Sequence, residues 1–187
     1  SGRAPKGVIR MSEDVPMHII HLDQDDPKKC TARTMHRIGE AILHHDVRGA
    51  PRRGFLLDPS AGIVLGPDDR TMIDRGAAIV GLDCSWKHLE TSMKSILNNT
   101  RLEPRTLPLA LPANPVSWGK PGRLSTAEAM ALCAAIMGRM NQAERMLRPF
   151  RFGQEFLELN AEPIAAYQEC STNTEVVETQ WSFFERP

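Results

Sequence analysis

The sequence has no long apolar run, no surplus of charge and no clustered cysteine, and each absence removes a class of function. The longest apolar-rich stretch, Ala127 to Met137, is interrupted by Glu128 and is too short to cross a bilayer. No membrane role is therefore expected. Residues 1–16 lack the apolar centre of a signal peptide and read as a flexible arm. Cys30, Cys84, Cys133 and Cys170 lie far apart with no CxxC pair, which argues against a disulfide framework or a zinc knuckle and for a reduced, cytoplasmic setting. Lys and Arg total 23, as do Asp and Glu, so no global positive field draws the chain to nucleic acid. Any RNA contact must be a local patch: Lys28, Lys29 and Arg33; Arg48, Arg52 and Arg53; or Arg101 and Arg105. GxGxxG, Walker, GxSxG and HExxH motifs are all missing, which weakens dinucleotide, P-loop and hydrolase readings.

What is present is a chain of 187 residues, enough for one compact domain or two small lobes sharing a core. Met17 to Leu22 is a short apolar run that reads as a strand. From Thr31 the apolar residues Ala32, Met35, Ile38 and Ile42 recur at helical steps, until His44-His45-Asp46 and Gly49 close the pattern. Gly54 to Leu57 and Ile63 to Leu65 predict further strands, with a short helix over Asp68 to Arg75. Gly76 to Leu82 is almost wholly apolar, as a strand buried on both faces of a parallel sheet must be. Trp86, Leu89, Met93, Ile96 and Leu97 then trace one helical stripe.

Leu107 to Leu111 is extended, although its proline forbids full ladder pairing. After Gly122 the chain turns helical, opening on the capping box Ser125-Thr126-Ala127-Glu128. Phe152, Phe156 and Leu159 form another stripe, and Pro163 to Tyr167 another turn or two. Residues 171–187 are polar and predict a loosely held tail, with Trp181, Phe183 and Phe184 as docking points. The fold class is α/β: a parallel-sheet part over residues 1–105 and a mainly helical part over 106–187.

Ligands of parallel sheets sit beyond the carboxyl ends of the strands, and three such ends carry unusual chemistry. They are His21 through Thr31, Leu82 through Trp86, and the irregular segment LPLALPANPVSWGKPG from Leu107 to Gly122. Thr31 opens a helix, so its hydroxyl and the N–H groups behind it suit an anion, unless it is only an N-cap. Asp83 suits an ammonium group or a base role, or caps the next helix. Trp86 suits a purine or sulfonium, or belongs to the core. No metal site is expected. His44 and His45 cannot both face one ion from adjacent helical positions, and His18 and His21 point to opposite faces of a strand.

Read together and in order, Asp26-Pro27-Lys28-Lys29-Cys30-Thr31, Asp83-Cys84-Ser85-Trp86, Ala113-Asn114-Pro115-Val116 with Gly119-Lys120-Pro121, Leu124-Ser125 with Glu128-Ala129, and Phe152-Gly153 with Phe156 to Asn160 form a pattern. It resembles the archaeal and eukaryotic aminocarboxypropyltransferases of small-subunit rRNA, over roughly Met17 to Tyr167. Ser117-Trp118 stands where that family usually has Asn-Tyr, and Thr126 where Cys or Ser is common.

The resemblance implies a SPOUT-like fold with a deep trefoil knot around S-adenosylmethionine, used as co-substrate. Thr31 would meet its aminocarboxypropyl end, Leu57 and Pro59 the adenine, the Leu82 backbone the ribose, and Trp86 the adenosyl-sulfonium region. Asp83 would lie near the transferred chain as the candidate catalytic group, with Leu107, Leu109, Gly122 and Thr126 closing the pocket. Lys28, Lys29, Arg33 and Arg105 would flank its mouth and bind RNA, the acceptor being N3 of an N1-methylpseudouridine. A monomer is expected. The rivals are a SPOUT-type RNA methyltransferase and a ribosome-assembly factor that binds RNA without catalysis.

Overall fold

A computed structural model describes residues 14–22 and 31–187. Five strands form one parallel sheet: β1 (Met17–His21), β2 (Ile42–His44), β3 (Arg53–Leu57), β4 (Ala78–Asp83) and β5 (Arg101–Arg105). Their spatial order is β2-β1-β4-β3-β5. The central strand β4 pairs Ile20 with Leu82 and His21 with Asp83 on one side, and Leu56 with Val80 on the other. Ile79 and Val80 are fully buried, as the unbroken apolar run requires.

Helices cover both faces. α1 (Thr31–Arg37), α2 (Arg70–Asp74) and α3 (Trp86–Asn99) connect strands; α4 (Thr126–Ile136), α5 (Met140–Leu147), α6 (Gly153–Leu159), α7 (Ala161–Glu169) and α8 (Asn173–Gln180) follow the sheet. No described helix is long and apolar enough to cross a membrane. α4 is the centre of the larger core. Ala127 and every residue from Met130 to Ile136 have no exposure, so the helix is enclosed on all sides rather than along one stripe. That core joins Ile19 and Phe55 of the sheet to Phe156, Tyr167 and Val176 of the late helices.

Several sequence expectations are corrected. The helix expected to run to Ile42 stops at Arg37; the Gly39 N–H bonds the His36 carbonyl at 3.1 Å, and Ile42 to His44 become an edge strand beside β1. Ile63 to Leu65 shrinks to one bridge between Val64 and Thr106. The real fifth strand is Arg101 to Arg105, whose polar pattern hid it, and its Pro104 is tolerated because β5 lies at the sheet edge. Val15, assigned to the flexible arm, is buried and exchanges two hydrogen bonds with Gln142, at 2.9 and 2.7 Å.

The tail is also docked rather than loose. Thr172 caps α8, Val176 is fully buried, and Asn173 accepts from the Asp68 N–H and donates from its own to the Asp68 carboxylate, both at 3.0 Å.

Arg105, expected to reach RNA, is instead a structural cation. Its side chain is 13 % exposed and its Nε and NH2 groups donate to both oxygens of buried Asp69 at 3.1–3.2 Å. The guanidinium also lies 4.9 Å from the centroid of the Phe55 ring. Asn173 and the Gly66 N–H donate to the same carboxylate, which ties strand, loop and last helix together. Removing one partner of a buried ion pair strands the other charge. Arg105→Ala is therefore expected to cost about 3 kcal/mol or more of stability, read as a lower denaturation midpoint. RNA affinity per folded molecule should stay as it was, and an unchanged midpoint would refute the structural assignment.

Candidate functional site

At the carboxyl ends of β3, β4 and β5 lies a cavity of about 490 Å³, the size of a small-molecule site. Two of the three strand-end segments singled out above, those from Leu82 and from Leu107, contribute to its walls. Leu57, Asp58 and Pro59 follow β3; Gly81 to Cys84 end β4; Leu89 and Met93 face in from α3. Thr106 to Leu109 leave β5, and Gly122 to Leu124 lead into Thr126, Ala129 and Met130 of α4. Most of this lining is aliphatic, suited to apolar parts of a ligand, with Asp58, Asp83, Cys84, Thr106, Thr126 and Arg123 as the polar exceptions. Asp58 is occupied locally: its Oδ1 accepts from the Ser60 N–H at 2.9 Å.

Of the expected co-substrate residues, Leu57, Pro59, Leu82, Asp83, Leu107, Leu109, Gly122 and Thr126 are brought together around this one cavity. Thr31 stands beside it, and its hydroxyl accepts the Ala127 N–H at 3.1 Å. The first turns of α1 and α4 thus meet across the chain, and the Thr31 O–H proton stays available to donate. Lys28, Lys29 and the Trp86 side chain lie outside the described residues. Arg33 is half-buried on α1, and its Nε has no partner among the described residues.

The chain from Leu107 to Ala113 runs extended past the cavity without joining the sheet. Its prolines, Pro108 and Pro112, exclude a ladder, and polar groups need partners when buried. Side chains supply them. The Leu109 N–H donates to Gln180 Oε1 at 3.1 Å, and Tyr167 Oη donates to the Leu109 carbonyl at 2.7 Å. Burial pushes the Tyr167 hydroxyl pKa up, so it remains a donor. Asn160, fully buried, accepts from the Leu111 N–H at 2.7 Å and donates to its carbonyl at 2.8 Å.

Beyond Ala113 the loop is clamped by Glu128. Its carboxylate has no exposure and accepts from Ala113 N, Asn114 N, Asn114 Nδ2 and Ser125 N at 2.7, 3.2, 2.6 and 2.9 Å. The capping box read from sequence is present, with Glu128 N donating to Ser125 Oγ at 3.2 Å. Its second role, anchoring the rim, was not readable.

Sequence reasoning placed His21 at a strand end but gave it no role in the site. It is buried, sits opposite Asp83 in the β1–β4 register, and its Nδ1 lies 3.2 Å from Asp83 Oδ2. The signal was present only jointly: each residue ends its own strand, and strand pairing makes them neighbours. His21 Nε2 is buried without a partner among the described residues. A proton there would be an unpaired buried donor, so the neutral ring carries it on Nδ1 and donates to Asp83. Arg123, exposed at the rim, is the second omission. No cluster of three or more His, Cys, Asp or Glu able to hold a metal exists among the described residues.

This arrangement has relatives. The family described as Ribosome biogenesis protein, C-terminal, matches residues 55–184. The 16S rRNA aminocarboxypropyltransferase of Methanosarcina mazei is 43 % identical over 169 residues, 90 % of this chain and 95 % of that protein. That of Halobacterium salinarum is 40 % identical over 169 residues, 90 % and 96 % of the two chains. The chain belongs to this family.

A solved structure, the SAM-dependent rRNA:acp-transferase Tsr3 from Vulcanisaeta distributa, aligns with a TM-score of 0.77 at 31 % identity, over 90 % of this chain and 96 % of that one. Residues 15–45 also match a possible Fer4-like domain in RNase L inhibitor. That stretch holds one cysteine, Cys30, and not the four thiolates an iron–sulfur cluster takes.

The tautomer is testable. Nitrogen-15 spectra are expected to show His21 protonated on Nδ1 and bare on Nε2, with the Nδ1 signal moving in Asp83→Ala. A proton on Nε2 would refute the pairing.

Proposed function

We propose that this protein transfers the 3-amino-3-carboxypropyl group of S-adenosylmethionine to small-subunit rRNA, at N3 of an N1-methylpseudouridine, and releases methylthioadenosine. The observation that carries the reading is the placement of the Asp83 carboxylate, paired with His21, in the lining of a mostly aliphatic cavity at the sheet's carboxyl edge. The other carboxylate of that lining, Asp58, holds its own turn through the Ser60 N–H. Leu57 and Pro59 offer the adenine an apolar slot, and the backbone around Leu82 faces the ribose. Asp83, held by His21, is oriented for the co-substrate's ammonium group, while Thr31 and the first turn of α4 receive its carboxylate.

The reaction is a displacement at the carbon γ to the carboxylate. The N3 lone pair forms the N–C bond, the C–S bond breaks, and its electron pair neutralises the sulfonium to a thioether. The N3 proton leaves to solvent or to Asp83. A sulfonium offers three carbons, so orientation decides the product. Enclosing the methyl among the aliphatic walls and turning the amino-acid arm toward the rim selects the observed family chemistry.

A SPOUT-like deep trefoil knot, formed by the segments that flank the cavity from Leu107 to Thr126, belongs to this proposal, as does a monomer acting in the cytoplasm. The free thiols of Cys133 and Cys170 suit a reduced compartment. Lys28, Lys29 and Arg33 are proposed to hold the RNA backbone.

Incubation with substrate rRNA and S-adenosylmethionine labelled in the carboxyl group is expected to label the RNA, and methyl label should leave in the thioether. Methyl label alone in the RNA identifies a methyltransferase instead. No label of either kind, with RNA still bound, identifies a non-catalytic assembly factor.

A further inference from the structure

Three tight turns in succession build the rim between Asn114 and Arg123. Ser117 N donates to the Asn114 carbonyl at 3.3 Å, Lys120 N to the Ser117 carbonyl at 3.1 Å, and Arg123 N to the Lys120 carbonyl at 3.1 Å. Each turn has the residues its geometry asks for. Pro115 and Pro121 occupy second positions, and Gly119 and Gly122 take third positions with φ of +73° and +78°, where a side chain would be strained. The base of the rim is fixed by Glu128, and its far end by Gly122 N donating to the Ala110 carbonyl at 3.0 Å. This is a rigid platform.

Trp118 sits at the second position of the middle turn and is 54 % exposed, next to Val116 at 81 %. A solvent-facing tryptophan on a fixed loop presents a large flat surface with little conformational entropy left to lose on binding. Lys120 and Arg123 flank it in the same turns, both exposed, and neither forms an ion pair with any described residue. Arg105, Arg139 and Arg145, by contrast, are each held by carboxylates. Arg123 also lines the cavity, so the platform adjoins the place where a nucleobase must arrive.

We infer that Trp118 is a stacking platform for an unpaired nucleobase of the RNA substrate, with Lys120 and Arg123 holding the adjoining phosphates. Aromatic side chains beside cations are how proteins seize splayed bases, since every base offers a π-face and every linkage a negative charge. The inference rests on the rRNA reading above but concerns binding, which can be measured without turnover.

The test uses the full chain and a hairpin RNA whose loop carries the acceptor base, followed by fluorescence anisotropy, with the same strand annealed to its complement as control. Trp118→Ala is expected to weaken loop binding roughly tenfold while S-adenosylmethionine affinity, by calorimetry, stays unchanged. Trp118→Tyr should keep most of the RNA affinity. Tryptophan emission of the parent protein should be quenched by the loop RNA, and Trp118→Phe should retain binding with less quenching.

Unchanged RNA affinity in Trp118→Ala, or equal binding of loop and duplex, overturns the proposal. A change in sedimentation of Trp118→Ala without a change in RNA affinity assigns the patch to self-association instead. Label transfer that persists in such a case leaves the enzymatic reading standing. Tight, Trp118-dependent loop binding with no transferred label overturns the enzymatic reading and leaves the platform.

Discussion

Four N–H donors converge on the carboxylate of Glu128, and the cavity's rim is built outward from that convergence. An ionised carboxylate without solvent costs several kcal/mol unless its lone pairs are filled. Here two backbone groups from the incoming loop, one side-chain amide and one backbone group at the helix cap fill them. The charge also sits in the first turn of α4, where the helix dipole favours it. One side chain therefore fixes the start of the central helix and the position of Asn114, from which the three turns of the rim proceed.

The cavity needs such an anchor because its walls are not sheet. Once the chain leaves β5, Pro108 and Pro112 prevent it from continuing as a strand, yet it passes through the interior. Gln180, Tyr167, Asn160 and Glu128 act as substitutes for a neighbouring strand, each meeting a backbone group of the segment. A wall made this way carries aliphatic side chains inward without offering an open sheet edge. The sheet contributes the other half: two adjacent strand ends put His21 against Asp83, so the Asp83 carboxylate at the cavity is oriented by a buried ring.

Much of this was legible in the residues. The unbroken apolar run ending at Asp83 marked the central strand, the alternation of strands and helices marked the parallel sheet, and Ser125 with Glu128 marked the start of α4. Of the three strand-end segments, Leu82 to Cys84 and Leu107 to Leu109 with Gly122 do line the cavity, while the wall after β3 and the faces of α3 and α4 complete it. What stayed hidden depends on long-range pairing. β5 reads Arg-Leu-Glu-Pro-Arg, too polar to suggest a strand, and forms because β3 offers it an edge. Ile42 fitted a helical stripe until Gly39 broke it. Arg105 looked like a free cation because its partner, Asp69, is 36 residues away. The tail looked loose because Asn173 and Gln180 are polar, but their polarity serves backbone groups and carboxylates of distant segments.

The bond between Gln180 and Leu109 spans 71 residues. During synthesis, α1 to α3 and the sheet emerge first, with the segment at Leu109 unsupported on its outer side. Its partners arrive in order: Glu128, then Asn160, then Tyr167, and Gln180 last. The nascent polypeptide consequently holds no finished ligand chamber until translation has passed residue 180.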